Sequence, residues 1–207
     1  HFEAGGFIRS DASLSSPDIQ FHFLPAAVSY DVSRAAPGDG FQVHVGPMLS
    51  PSRGRLGLIS ADPLAPPKLD FNYLAAESDW AVFRTAIRQA REIFAQPALE
   101  TFRAAEIAPG ARADSDAALD EFISHYAESA YHPCGTCRMG EDDDAVVDSE
   151  CRVKGLTGLR VVDASIFPHI TNGNLNAPTI MTTERAADLI LGKPTLAAES
   201  PEVWSPV

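Results

Sequence analysis

Apolar and polar side chains alternate in the first third of the chain, which is the pattern of strands that bury one face. The alternation runs through residues 18–30 and recurs at residues 41–45 and 55–59, between turns rich in Gly and Pro. In the first segment the inner positions are Ile19, Phe21 and Phe23, and the outer positions are Gln20, His22 and Leu24. These segments predict an antiparallel sheet with His22 on its outer face.

Apolar residues at spacings of three and four predict two helices in the middle of the chain. The first has its apolar stripe at Trp80, Phe83, Ile87, Ala90 and Phe94. We expect Ser78 to cap this helix, Pro97 to follow its end, and its stripe to pack on the sheet. The second follows the start signal Asp114-Ser115, with its apolar positions at Leu119, Phe122, Ile123 and Tyr126.

Beyond residue 131 the pattern changes to a short strand followed by a helix. Residues 159–162 form an apolar run of the kind buried in a parallel sheet, ending at Asp163 beside Ala164. The last helix is predicted to start near Pro178 and to stop at Gly192. Its apolar positions are Ile180, Met181, Ala187 and Ile190. The elements together predict an α+β fold, with residues 196–207 as a tail.

The net charge of the chain limits the kinds of partner that it is expected to bind. With 16 Lys and Arg against 28 Asp and Glu, the net charge is −12, and no basic stripe offsets it. This excludes nucleic acid and a polybasic membrane anchor as expected partners. An odd number of cysteines, three, favours a reducing compartment, so we expect a cytoplasmic protein, and a peripheral contact with the inner membrane is left open.

The segment HPCGTCRMG at residues 132–140 holds the first candidate for catalysis. A proline after His132 favours extended backbone there, and the glycines that follow allow a tight turn beside a ligand. A neutral imidazole accepts a proton near neutral pH, so His132 is a candidate general base. A structural, hydrogen-bonded histidine is the alternative from spacing alone.

The cysteines support a different class of protein. Cys134 and Cys137 form a C-x-x-C pair, which Cys151 and His132 could complete as a structural zinc site in a binding module. A redox pair is a further alternative. No second paired half-site follows, so the preferred interpretation assigns no metal ligand.

Several segments resemble the C-terminal half of glucose-methanol-choline (GMC) oxidoreductases. They are the histidine segment at 132–140, FEAGGFIR at 2–9, PDIQFHFLP at 17–25, SPSRGR at 50–55, FNY at 71–73, AQPAL at 95–99, GLRVVDAS at 158–165 and NLNAPTIM at 174–181. Within the family the likeness is greatest to bacterial choline-oxidising dehydrogenases. The resemblance implies a flavoprotein that oxidises CH–OH donors with FAD.

The resemblance also implies a division of the chain. Residues 1–130 would form the substrate-binding domain, and residues 131–195 the catalytic histidine loop with the C-terminal part of the FAD domain. The Gly-x-Gly-x-x-Gly fingerprint of an N-terminal FAD domain is absent from the sequence. We therefore expect a fragment that neither retains FAD nor turns over substrate alone.

The family resemblance assigns roles to individual residues. His132 matches the catalytic base and Asn176 the second active-site residue, although Asn176 is also suited to capping a helix. Phe2, His22 and Tyr131 match substrate-binding positions, where core packing is the alternative for Phe2 and Tyr131. The positions expected against FAD are Asp163, Ala164, Asn176, Ala177, Pro178 and Thr179.

The expected reaction is oxidation of choline to betaine aldehyde, towards glycine betaine, with electrons passed to a carrier rather than mainly to oxygen. A GMC dehydrogenase for other aliphatic or aromatic alcohols, without an ammonium site, is the second hypothesis. The non-catalytic zinc or interaction module is the third.

Overall fold

The computed structural model describes residues 2–28, 38–194, 196–200 and 202. The end of the predicted first strand, at residues 29–30, and part of the predicted tail lie outside these ranges. The strands are β1 (Ala4–Ile8), β2 (Ile19–Leu24), β3 (Gln42–Pro47), β4 (Arg55–Gly57) and β5 (Lys68–Asp70). The α-helices are α1 (Glu77–Phe94), α2 (Asp116–Tyr126) and α3 (Asn176–Ile190). The chain divides into two compact units, residues 1–132 with 170–173, and residues 133–169 with 174–207.

The first unit is built on an antiparallel sheet in the order β1-β2-β3. Ile19 and Phe21 point to its inner face, where they are buried against Ala86 and Ala90 of α1. The predicted alternation and the packing of this helix on the sheet are therefore confirmed. Strand β2 ends at Leu24.

The segment at residues 55–59 does not join that sheet. Its strand, β4, ends at Gly57 and pairs with β5 in a separate two-stranded sheet. The prediction of one sheet was wrong here because Leu58 and Ile59 are 84% and 65% exposed, so their apolar character does not mark a buried face. Gly54 precedes β4 at a point where a β-carbon would lie 2.2 Å from the carbonyl oxygen of Asp70.

Helix α1 begins earlier than the sequence indicated. The cap position is Ala76, and Ser78 lies inside the first turn, so the prediction of a Ser78 cap was wrong. The helix start is instead held by Ser52, whose hydroxyl accepts from the Ala76 N–H at 3.1 Å and donates to the buried carboxylate of Asp79 at 2.5 Å. Ser50 donates to the same carboxylate at 2.8 Å.

Helix α2 begins where the sequence predicted. The Ser115 side chain accepts from the Ala118 N–H at 3.2 Å, as an N-cap residue does. Leu119 and Ile123 pack against Ile87 of α1, which closes a second cluster of buried side chains in this unit.

The second unit has a small core of its own. Val147, Cys151, Ile166 and Ala186 are buried together. Residues 159–162 are not a strand of a parallel sheet: they fold back on the preceding segment through the Val153 N–H to Leu159 carbonyl bond, at 3.0 Å, and a bridge between Arg152 and Arg160. The strand prediction was wrong because this antiparallel turn satisfies the backbone groups locally.

Helix α3 confirms the last predicted helix with an earlier start. It begins at Asn176 rather than near Pro178 and ends at Ile190. Gly192 follows with a φ of +62°, a left-handed conformation that stops a helix. Ala186 is its buried residue, while Ile180 and Met181 are 55% and 68% exposed.

Candidate active site

His132 is half-buried at the end of the first unit. Tyr131 before it has a φ of +61°, a left-handed conformation that is uncommon for a residue with a side chain. The Tyr131 N–H donates to the Ser129 hydroxyl at 3.0 Å, which supports this turn. Residues around catalytic groups are often held in such conformations, so the geometry suits an imidazole with a set orientation.

The segment after His132 is fixed within the second unit by its backbone. The Cys137 N–H donates to the Ser165 carbonyl at 2.9 Å, and the Met139 N–H donates to the Ile166 carbonyl at 2.8 Å. Gly135 has a φ of +89°, and a β-carbon there would lie 3.2 Å from the Phe167 carbonyl oxygen. The left-handed conformation and this close approach both favour glycine at position 135.

Asp163 and Ala164 lie in the turn to which that segment is bonded. The Asp163 carboxylate accepts from the Ser165 N–H at 2.8 Å and caps the 3-10 turn Ala164–Ile166. Asp163 is exposed and Ala164 is half-buried. The two predicted cofactor-contacting residues thus stand at the surface of the second unit on a braced turn.

The other residues expected against the cofactor form the first turn of α3. Asn176 is its first residue and is exposed, and the cap position is Leu175, so Asn176 does not cap the helix. A leucine side chain cannot accept from the first N–H groups of the helix. The main-chain N–H groups of Asn176 and Ala177, at the positive end of α3, are therefore not capped by the side chain of Leu175.

In the first unit, the structure brings two of the predicted substrate-binding residues together. The rings of Phe2 and His22 have centroids 5.3 Å apart. Phe2 is 52% exposed and Tyr131 is 82% exposed, so core packing does not explain either side chain. His132 and Tyr131 belong to the first unit and Asn176 to the second.

His44 also belongs to this group, although no pattern in the sequence indicated it. His44 lies directly opposite His22 in the β2-β3 register, and its ring centroid is 5.6 Å from that of Phe2. Burial lowers the pKa of His44, the nearby His22 lowers it further, and the charge of Glu128 opposes them. The alternation within residues 41–45 could have placed His44 and Gln42 on one face of their strand. The sequence does not show the register with β2, which places His44 opposite His22.

The described residues give no support to a metal centre. None of their His, Cys, Asp and Glu side chains gather in groups of three or more that would hold an ion. Cys134 and Cys137 are half-buried thiols, and burial of Cys151 raises its thiol pKa. None of the helices in these ranges has the length and apolar character needed to cross a membrane.

Comparison with known proteins identifies the class. The sequence profile of the GMC oxidoreductases matches residues 50–183, more than half of the chain. Among solved structures, pyridoxine 4-oxidase from Mesorbium loti superposes with a TM-score of 0.84 at 32% identity, over 92% of this chain and 38% of that one. A fungal aryl-alcohol oxidase superposes with a TM-score of 0.69 at 31% identity, over 86% and 28%. The chain belongs to the GMC oxidoreductase family, as its motifs predicted.

Closer similarities lie within that family. The chain is 56% identical over 206 residues to the oxygen-dependent choline dehydrogenase of Brucella anthropi, over 99% of this chain and 38% of that protein. It is 57% identical to the Vibrio vulnificus protein of the same name, over 99% and 37%. The chain thus spans under two-fifths of the length of these relatives. The predicted α+β fold and the predicted likeness to choline dehydrogenases are confirmed.

Proposed function

We propose that this chain forms the substrate-binding part and the catalytic histidine loop of an FAD-dependent choline dehydrogenase. The observation that carries the proposal is the 56% identity to a choline dehydrogenase along nearly the whole chain. In this proposal residues 1–130 bind substrate, and residues 131–195 carry the histidine loop and part of the FAD domain. The rest of the FAD site is proposed to lie in the part of the relatives' sequence that this chain does not span.

The start of helix α3, in the second unit, is suited to a flavin by the direction of its helix dipole. A flavin gains negative charge when it is reduced, and the positive end of a helix favours negative charge. The first turn of α3, residues 176–179, and the braced turn at Asp163 and Ala164 are the parts of this chain that would hold it. When bound, FAD supplies the acceptor for the hydride of the alcohol.

His132 is proposed as the base for the alcohol proton. An alcohol donates hydride poorly until its oxygen loses or shares its proton, so a base within hydrogen-bond reach lowers the barrier. Asn176 is proposed to donate its amide N–H to the developing alkoxide without competing for the proton. The turn at Tyr131 and the helix start at Asn176 would orient the two side chains.

Substrate recognition is proposed for Phe2, His22 and Tyr131. A trimethylammonium group has no N–H, so aromatic faces and negative charge must hold it. The exposure of Phe2 and its contact with His22 support this role.

The electron acceptor is proposed to be a carrier, as the resemblance implied, with dioxygen as the alternative because the relatives are named oxygen-dependent. Peripheral contact with the inner membrane and a cytoplasmic location stay predictions.

The second candidate, oxidation of another alcohol, draws on the structural neighbours. They include an oxidase of pyridoxine and an oxidase of aryl alcohols, with the same family fold. Both candidates use His132 and Asn176, and they differ in whether the site attracts a cation.

Anaerobic flavin reduction separates the candidates. A polypeptide of the relatives' length that contains this chain is mixed with choline or with 3,3-dimethylbutan-1-ol, its uncharged analogue, and flavin bleaching is followed in the visible spectrum. Preference for choline supports the proposal, and preference for the neutral alcohol moves the protein to the second candidate. Absence of bound flavin would refute both.

A further inference from the structure

The hydrogen bonds of Gln42 determine the protonation of His44. The Gln42 Oε1 accepts from the Val28 N–H at 2.9 Å, so this end of the amide is its oxygen. The other end, Nε2, lies 2.8 Å from Nε2 of His44. An amide nitrogen only donates, so the His44 Nε2 is the acceptor and its ring proton is on Nδ1.

A second proton on His44 would place two donors against each other. It would also add a positive charge beside His22, which faces it from β2. The lowered pKa of His44, caused first by burial and then by His22, agrees with this geometry, although the Glu128 carboxylate, in the segment after α2, acts in the opposite direction. These contacts favour a neutral ring.

This neutral ring lies beside the aromatic group described above. The ring centroids of Phe2 and His44 are 5.6 Å apart, with the two rings nearly perpendicular, and those of Phe2 and His22 are 5.3 Å apart. A cation on Phe2 would therefore also lie near His44. Two unit charges about 6 Å apart repel by roughly 3 kcal/mol at an effective dielectric constant of about 20, a factor of about 100 in binding.

We propose that Gln42 and His44 are specificity-determining residues of the substrate site. Gln42 holds the His44 imidazole neutral, so that a quaternary ammonium headgroup at Phe2 meets an aromatic face and an uncharged His44 ring. The inference rests on the proposed function and extends it to two residues that the family resemblance did not indicate.

The first test is spectroscopic and uses the unmutated holoenzyme. Histidine labelled with 15N in its ring reports each nitrogen as protonated or bare, and the His44→Gln variant assigns the His44 signals by their loss. The expected result at neutral pH is a protonated Nδ1 and a bare Nε2. A proton on Nε2, alone or in an imidazolium, would overturn the proposal.

The second test compares choline with 3,3-dimethylbutan-1-ol in steady-state kinetics. His44→Lys should lower kcat/KM for choline by about tenfold or more, while the value for the neutral alcohol changes by about twofold or less. His44→Gln, which stays neutral, should keep the preference of the unmutated enzyme. Gln96→Lys adds the same charge at an exposed position beyond α1 and should leave both values unchanged.

The outcomes separate this inference from the proposed function. Equal losses for both alcohols in His44→Lys would make His44 merely structural and overturn the inference. If His44→Lys does not fold, the ring 15N signals of the unmutated enzyme still test whether His44 is neutral with its proton on Nδ1. An unmutated enzyme that shows no preference for choline would refute the proposed function itself, before any variant is compared.

Discussion

The main-chain N–H of Cys137 donates to the carbonyl of Ser165 at 2.9 Å, which bonds the histidine segment to the turn after Asp163. The Met139 N–H adds a second main-chain bond, to Ile166. Neither bond uses a thiol, so these two contacts do not require the cysteine side chains.

We expect the thiols of Cys134 and Cys137 to be dispensable, because the two main-chain bonds that hold this segment do not use them. We expect Cys134→Ser with Cys137→Ser to change the free energy of unfolding by about 1 kcal/mol or less. Flavin content and reduction by choline should be retained in the full-length enzyme. Loss of one equivalent of bound zinc in this variant would instead favour the zinc module.

His132→Ala should separate cofactor binding from catalysis. Loss of a positioned base typically slows proton transfer by about 10²–10⁴-fold, so flavin reduction by choline should slow by that order. The visible spectrum of the bound flavin should be unchanged, since His132 is proposed to act on the substrate. Reduction at the unmutated rate, measured by anaerobic stopped flow, would remove His132 from the mechanism.

Asn176→Ala tests the proposed alkoxide donor. Removing one such donor costs about 10²–10³-fold in rate in well-studied cases, and we expect a similar loss in flavin reduction. Asn174→Ala is the matched control, because Asn174 lies in the preceding turn and has no proposed catalytic role. Equal losses in both variants would indicate that the turn, rather than the Asn176 amide, is what matters.

Gly54→Ala should destabilise the first unit. Its β-carbon would meet the Asp70 carbonyl oxygen at 2.2 Å, and that atom belongs to the backbone of β5. Such a clash costs about 1–3 kcal/mol because the backbone must shift. Gly57→Ala is the control, since a β-carbon there has no atom within 4 Å. Similar urea midpoints for the two variants would contradict the packing described for β4 and β5.

Ile123→Ala tests the cluster between α1 and α2. Ile123 is 2% exposed, and truncation of a buried isoleucine costs about 2–5 kcal/mol through lost burial and the cavity left behind. Ile59→Ala makes the same chemical change at a side chain that is 65% exposed and should cost little. The difference in unfolding free energy between the two variants is the quantity to measure.

The elements with strong periodicity were predictable from the sequence. The inner and outer faces of β2 could be predicted from the positions of Ile19 and Phe21, and the start of α2 from its Ser115 cap. Burial and capping both produce patterns that are visible in a short stretch of sequence. The start of α1 was not predictable, since Asp79 and Ser52 meet across a long stretch of chain. An apolar run such as residues 159–162 is ambiguous, because pairing partners rather than composition decide whether it becomes a strand.

The same distinction applies to the candidate site. Motifs that resemble those of the GMC family indicated His132, Asn176 and the two turns of the second unit, because each motif is a continuous stretch of sequence. His44 was missed because its meaning comes from register: it faces His22 on a neighbouring strand and contacts Phe2 from the start of the chain. No pattern within one short segment of the sequence indicates that these three residues are in contact.

The bond from Val28 to Gln42 carries a consequence for protein engineering. A main-chain N–H is the same whatever amino acid occupies position 28, except proline, so ordinary substitutions there leave the Gln42 amide as it is. Val28→Pro removes that donor and frees the amide to turn over. A single proline substitution at this position would therefore change how an imidazole two residues from Gln42 carries its proton, without altering any side chain near the substrate.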